Sequence, residues 1–409
     1  MYQIQLITSI YILWCSYVAY YYYFSNRKLF AQDRSFIYEP HENFRNIYIY
    51  VLKFKPQETN SANDMYNTIV SRLKIFATYP KSLLRREYKN TKNYTYSNKS
   101  IDSLISSIVE KIETIKDYDK FKLSKETSDT KNKLQIKIGK DGIIMASSHI
   151  LYDGIASLKI ISVLNDTKND TNKLPKLYYI PLYNEIKFII NLSRYFLQDT
   201  KTQNISYDYD MYKTSKCYLI KNEMPLGVIK NFKKKYSTEL GKKFAFATIY
   251  SAYQLQKIFM VTNVLALNIG ILVAIDNPNR LNNVSVIIVQ INRPKQTHNM
   301  LKEIVMQIHD KIEKNKYQVE LYYSLTNIYN INIAGKSNID IMFSGGALCK
   351  DKQFAINGIK TTSCNTTLIH HSAPISIQYI SDCENIYSTV HLRTEALDRK
   401  KLEDSYKLD

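Results

Sequence analysis

The stretch Ala146 to Leu158, ASSHILYDGIASL, constrains this chain more than any other. The apolar run Ile143, Ile144, Met145, Ala146 reads as a buried strand, and the run from Ile155 to Leu164 has helical character. Between them stand His149, three spacer residues, Asp153 and Gly154. A chain that leaves a buried strand through a histidine and turns at Asp-Gly into a helix presents one rigid imidazole inside a cleft. An unperturbed imidazole titrates at about 6.5, so such a group can take and return a proton at neutral pH. The plainer alternative is a strand-turn-helix corner holding a satisfied histidine, and the flanking sequence has to decide between the two.

The flanks alternate between strand and helix patterns. NIYIYVLKF (46–54) alternates like a strand, and Met65, Ile69, Leu73 and Phe76 recur at helical spacing. Pro80 is followed by LLRREY and a polar loop up to Ser100. Ile101, Leu104, Ile105, Ile108, Ile112 and Ile115 share one helical face, which predicts a helix over 101–115. Leu134, Ile136 and Ile138 alternate up to Gly139-Lys140-Asp141-Gly142, a hairpin signal whose returning strand delivers Ser147, Ser148 and His149. The apolar stretch 174–196 predicts a crossover helix from Leu182 onward. The second half holds a helix over 244–261, strands over 265–275 and 283–291, an amphipathic helix over 296–312, and short strands at 339–343, 375–380 and 386–392. At 409 residues the chain exceeds what one core holds. Mixed elements in both halves predict an α/β fold of two lobes, 36–175 and 206–409, joined by a linker at 176–205 and preceded by a separate segment, 1–30.

Ile4 to Phe24 is uncharged over 21 residues, about what a helix needs to cross a bilayer. Tyr20 to Tyr23 followed by Arg27 and Lys28 resembles an aromatic belt with a cationic stop. The expectation is therefore a membrane anchor with the body on the cytoplasmic side. A cleaved signal peptide fits less well, because no basic residue precedes the apolar run. The net charge of +19 would suit nucleic acid or an anionic membrane. The basic residues are spread out, however, with only modest clusters such as Lys233 to Lys235, so no specific nucleic-acid partner is expected. Five widely spaced cysteines with no CxxC pair favour a reducing compartment. His370-His371 lies near Cys364 and Cys383, but neighbours on a strand point to opposite faces, so no metal site is expected. No GxxxxGK phosphate loop occurs.

With His149-x-x-x-Asp153-Gly154 placed after a hairpin strand in the first half, the chain resembles the CoA-dependent acyltransferases built like chloramphenicol acetyltransferase. It looks most like the wax ester synthase/diacylglycerol acyltransferase branch, with peptide-synthetase condensation domains next. The supporting stretches come in the family's order: Tyr79-Pro80 with LLRREY, then LNIGILVAIDNPNRLNNVSVIIVQI, then IDIMFSGGAL. The resemblance covers roughly 36–395. Ser148 stands where the family often has a first histidine, and the family's Ser-Asn-x-Pro-Gly loop is reduced to Ser344-Gly345-Gly346. The Asp-Phe-Gly-Trp-Gly signature of the plant branch is absent.

The resemblance implies a two-lobed sandwich with mixed sheets, no permanently bound cofactor, and acyl-CoA as co-substrate. It implies that His149 acts as general base on a hydroxyl acceptor, lipid-like if the anchor holds the site at a membrane. Asp153 would be a strut paired with an arginine, Arg85 first and Arg86 next, and Gly154 would allow close approach. Ser344 and the Gly345 and Gly346 amides would meet the oxyanion or substrate. Two other functions stay open: a binding or scaffold protein that kept the fold without turnover, and condensation-type transfer to an amine.

Overall fold

The computed structural model describes residues 2–19, 47–90, 93–115, 134–149, 151–166, 184–196, 205, 218–275, 284–295, 299–327, 338–348, 353–368 and 373–407. Helix α1 (Tyr2–Ala19) precedes strand β1 (Ile47–Phe54) and helix α2 (Thr59–Ala77), which buries Met65, Ile69 and Leu73. A 3-10 turn at Leu83–Arg85 leads to the paired strands β2 (Arg86–Asn90) and β3 (Asn93–Tyr96), then α3 (Ile101–Ile108) and β4 (Val109–Lys111). The hairpin β5 (Leu134–Gly139) and β6 (Gly142–Ser148) feeds α4 (Gly154–Val163), and α5 (Glu185–Phe196) follows. The second half contains β7 (Tyr218–Pro225), α6 (Leu226–Leu240), α7 (Phe246–Val261), β8 (Ala266–Ala274), β9 (Val284–Asn292), α8 (Met300–Asn315) and α9 (Tyr317–Asn327). It ends with β10 (Ile341–Ala347), β11 (Ala355–Ile356), β12 (Ile359–Leu368), β13 (Ile375–Ser381), β14 (Asn385–Leu392) and α10 (Arg399–Lys407).

The strands form two six-stranded sheets, ordered β11-β12-β1-β6-β5-β4 and β7-β14-β13-β10-β8-β9. Both are mixed: β4 runs parallel to β5, and β10 runs parallel to both its neighbours. The first sheet packs Tyr50, Leu52 and Met145 against Ile69, Leu73, Leu104 and Ile160 of α2, α3 and α4. The second packs Ile269, Ile377 and Val390 against Ile229, Ile258 and Ile304 of α6, α7 and α8.

Division of the chain at residue 206 does not describe the sheets, because β11 and β12 from the second half complete the first sheet. β12 runs antiparallel to β1 from Tyr48↔Leu368 to Phe54↔Thr361. The β11–β12 turn places Asn357 and Gly358 at φ 52° and 74°, the left-handed region that Asn and Gly tolerate best. Asp166, just beyond α4, accepts both of their amides at 2.8 and 2.6 Å and pairs with Arg72 of α2 at 2.8 Å. One carboxylate thus ties the inserted strand to the first lobe. The crossover is pinned from the other side, where Asp340 accepts the Ile205 and Asn268 amides at 2.8 and 2.7 Å.

Two expectations need correcting. The predicted helix over 101–115 stops at Ile108, because β-branched Val109 goes extended (φ −112°, ψ 128°) and β4 pairs with the open edge of β5. Ile115 then packs on the other face of the sheet, with Ile49, Ile144 and Ala146. At the N-terminus, no helix among the described residues is long and apolar enough to cross a membrane. Helix α1 has 18 residues, about 27 Å at 1.5 Å per residue against a hydrocarbon core of about 30 Å, and Gln3 and Gln5 lie within it. Tyr20 to Tyr23, Arg27 and Lys28 lie outside the described residues.

His391 on β14 is 1% exposed, and burial together with the nearby Arg393 guanidinium lowers its pKa from 6.5 to about 3. Between those values the unfolded chain binds a proton that the folded chain does not, so stability falls as pH drops from 6.5 toward 3. Denaturant titrations between pH 4 and 6.5 should show that His391→Gln removes up to one proton of this dependence, about 1.4 kcal/mol per pH unit. An unchanged slope in the variant would contradict the assignment.

Candidate active site at the end of the central hairpin strand

Strand β6 lies in the middle of the first sheet, paired with β1 on one side and β5 on the other. Its last residue, Ser148, accepts the amides of Leu151 and Tyr152 at 3.1 and 3.0 Å, so the chain turns sharply just after His149. The turn ends at Asp153, whose carboxylate accepts the Ala156 amide at 2.7 Å and caps α4. The Ser147 and Ser157 hydroxyls, 2.8 Å apart, fasten the strand to the helix it feeds. Asp153 is 1% exposed and His149 is 5% exposed.

The arginine that holds this loop is Arg86. Its Nη1 donates to the Leu151 carbonyl at 2.8 Å, and the Tyr152 hydroxyl reaches the Leu83 and Arg86 carbonyls at 3.3 and 3.4 Å. Arg85, the first choice from sequence, donates instead to the carbonyls of Ala77, Ser97 and Lys99. Arg85 closes the 3-10 turn and Arg86 opens β2, so the two adjacent side chains leave the backbone in different directions and Arg86 is the one that reaches the histidine loop. The grip is also on a backbone carbonyl, while Asp153 caps its helix.

His149 meets a residue that the sequence reading did not single out. The Tyr48 hydroxyl on β1 lies 3.1 Å from His149 Nε2, and the two rings stack with centroids 4.8 Å apart. Tyr50, two positions along the same strand face, stacks on Tyr48 with centroids 6.2 Å apart. Both tyrosines are buried, and burial raises both phenol pKa values; at Tyr48 the neighbouring Tyr50 and Asp153 push the same way. The neighbouring Gly154 backbone and Ser344 side chain oppose that rise. The alternation in NIYIY was the available signal, because it places Tyr48 and Tyr50 on one face of the strand beside β6.

A cavity of about 130 Å³ opens between the sheets, lined by Tyr48, Tyr50 and Gly154 on one side and by Ser344, Gly345 and Gly346 on the other. The structure therefore brings the His149 corner and the Ser344 segment to one cavity although they are remote in sequence. Strand β10 pairs with β8 only through Phe343, so its edge is released from β8 where it reaches the cavity. At Gly345 a Cβ would lie 2.4 Å from the Tyr379 ring, so only glycine fits there. Among the described residues no cluster of His, Cys, Asp or Glu could hold a metal ion, and His370 and His371 lie outside them.

No family model and no curated sequence matches this chain. Its fold does match solved structures. The trichothecene 15-O-acetyltransferase TRI3 of Fusarium sporotrichioides superposes with a TM-score of 0.64 at 11% identity, over 93% of each chain. TRI101 of Fusarium graminearum, solved with coenzyme A and deoxynivalenol, gives 0.59 at 11% identity, over 94% of this chain and 97% of that one. The wax ester synthase/diacylglycerol acyltransferase of Marinobacter aquaeolei VT8 gives 0.55 at 11% identity, over 93% and 97%. The chain therefore shares its fold with these acyltransferases.

Proposed function

We propose that this chain is an acyltransferase that moves an acyl group from acyl-CoA to a hydroxyl acceptor, with His149 as general base. One observation carries the reading: Nε2 of a buried, rigidly held histidine stands one hydroxyl away from a cavity enclosed between the two sheets. The structural neighbours whose names state O-acetyl transfer or a coenzyme A complex support the same chemistry. The acceptor oxygen attacks the thioester carbon while its proton moves toward His149, and the thiolate takes the proton back as it leaves. Ser344 and an amide of the Gly345–Gly346 segment, which lines the cavity where β10 has left β8, would donate to the oxyanion. At about 130 Å³ the cavity is smaller than the roughly 300–1,000 Å³ of a typical ligand site, so it holds the reacting ends of two substrates rather than the whole of either.

A second reading, binding without turnover, is favoured by the same tyrosine, whose hydroxyl occupies the position an acceptor would take on Nε2. Thiol release from acyl-CoA of graded chain length, with alcohol acceptors present, separates the two. His149→Ala should lower turnover by about 100- to 10,000-fold. Activity that survives the substitution contradicts the mechanism, and tight acyl-CoA binding without product supports the second reading.

The acceptor we propose is a lipid-like alcohol met at an anionic membrane surface on the cytoplasmic side. Ile10, Leu13, Trp14 and Tyr17 of α1 and Ile186, Ile189 and Ile190 of α5 are all exposed, on a chain of net charge +19. Apolar helices with a cationic body bind lipid interfaces without crossing them. Trp14 is the sole tryptophan, so its emission reports directly on α1. Phosphatidylglycerol vesicles should shift that emission to the blue more than phosphatidylcholine vesicles do; no shift with either would contradict membrane docking.

A further inference from the structure

We propose that Tyr48 is a catalytic residue through whose hydroxyl the acceptor's proton reaches His149; this rests on the acyltransferase reading and names the atom the acceptor meets. Tyr48 lines the cavity, and its oxygen lies 3.1 Å from Nε2 of the histidine behind it. An acceptor hydroxyl entering between the sheets therefore meets the phenol oxygen first.

The ring could swing aside and act only as a gate, or stay and act as a relay. Packing favours the relay. Tyr48 is 4% exposed, stacked on His149 on one side and on Tyr50 on the other. Swinging the ring out would break the hydrogen bond to His149 and leave a ring-sized void in the wall of the first sheet. Leaving it in place needs no rearrangement, because a phenol hydroxyl both donates and accepts.

The step balances. The acceptor hydroxyl donates to the Tyr48 oxygen. As the acceptor oxygen bonds to the thioester carbon, the carbonyl electron pair moves onto the carbonyl oxygen. At the same time the acceptor's proton passes to the Tyr48 oxygen, and the proton of Tyr48 passes to His149 Nε2. When the carbonyl reforms and the carbon–sulfur bond breaks, Nε2 returns its proton to Tyr48 and Tyr48 passes one to the departing thiolate. The products are the ester and free CoA, and both side chains are restored. Burial disfavours a free phenolate at Tyr48, so the two proton movements are concerted.

Tyr48→Phe removes only that oxygen. In the acyl-CoA thiol-release assay it should lower kcat by about 100- to 10,000-fold, as His149→Ala does, with KM for acyl-CoA within about threefold of wild type. The double variant should fall no further than the weaker single one, because the two residues act as a unit. Wild-type or higher turnover in Tyr48→Phe would make Tyr48 a plug and overturn the relay while leaving His149 as base. Equal activity in wild type and His149→Ala would overturn the relay and the acyltransferase mechanism together. A readout independent of turnover is the ¹⁵N spectrum of the protein labelled at its 7 histidines, with His149 assigned by its loss in His149→Ala. The relay requires a neutral His149 protonated on Nδ1 with Nε2 accepting from Tyr48. A proton found on Nε2 would overturn it.

Discussion

The antiparallel pairing of β12 with β1 is the constraint on which the rest depends. β1 has β6 on one side and β12 on the other, so a strand from residues 359–368 and a strand from 142–148 are locked to one ribbon. β12 also touches the second sheet, where the Thr389 hydroxyl donates to the Thr366 carbonyl at 3.0 Å. That contact sets the spacing between the sheets and hence the width of the cavity into which Tyr48 and Ser344 project. The cost of this arrangement is a long-range pairing that closes late, since more than three hundred residues separate β1 from β12. The Asp166 carboxylate, holding the β11–β12 turn against α2, offsets part of it.

Local pattern carried much of the fold. β1, α2, the β5–β6 hairpin, α7, β8, β9, β13 and β14 fall where alternation, helical period or a continuous apolar run puts them. The failures share a cause. β12, with the sequence IKTTSCNTTL, is largely polar and was invisible as a strand; it is held by pairing rather than by an apolar face. The isoleucine period past Ile108 looked helical, yet the open edge of β5 took Val109 into the sheet. In both places a tertiary partner decided what local preference could not.

The site was legible in the same uneven way. The His149 corner could be read because strand, turn and helix each have local signatures; Asp153 was expected as a strut paired with an arginine, and its carboxylate caps α4. The choice between Arg85 and Arg86 turned on where the 3-10 turn ends and β2 begins, a one-residue boundary that local pattern does not mark. Tyr48 could not be found from spacing, since it is 101 residues from His149 and meets it only because β1 lies beside β6. Its chemistry changes the account of the histidine: Nε2 faces the cavity through a phenol rather than across open space.

The most direct test of the central claim is a structure of the protein with a non-hydrolysable acyl-CoA in which a methylene replaces the thioester sulfur. The account predicts the acyl carbonyl in the cavity between the sheets, with its carbon within reach of an acceptor on the Tyr48 oxygen and its oxygen toward Ser344, Gly345 or Gly346. An analogue bound elsewhere, with the Tyr48–His149 pair facing no part of it, would contradict the account.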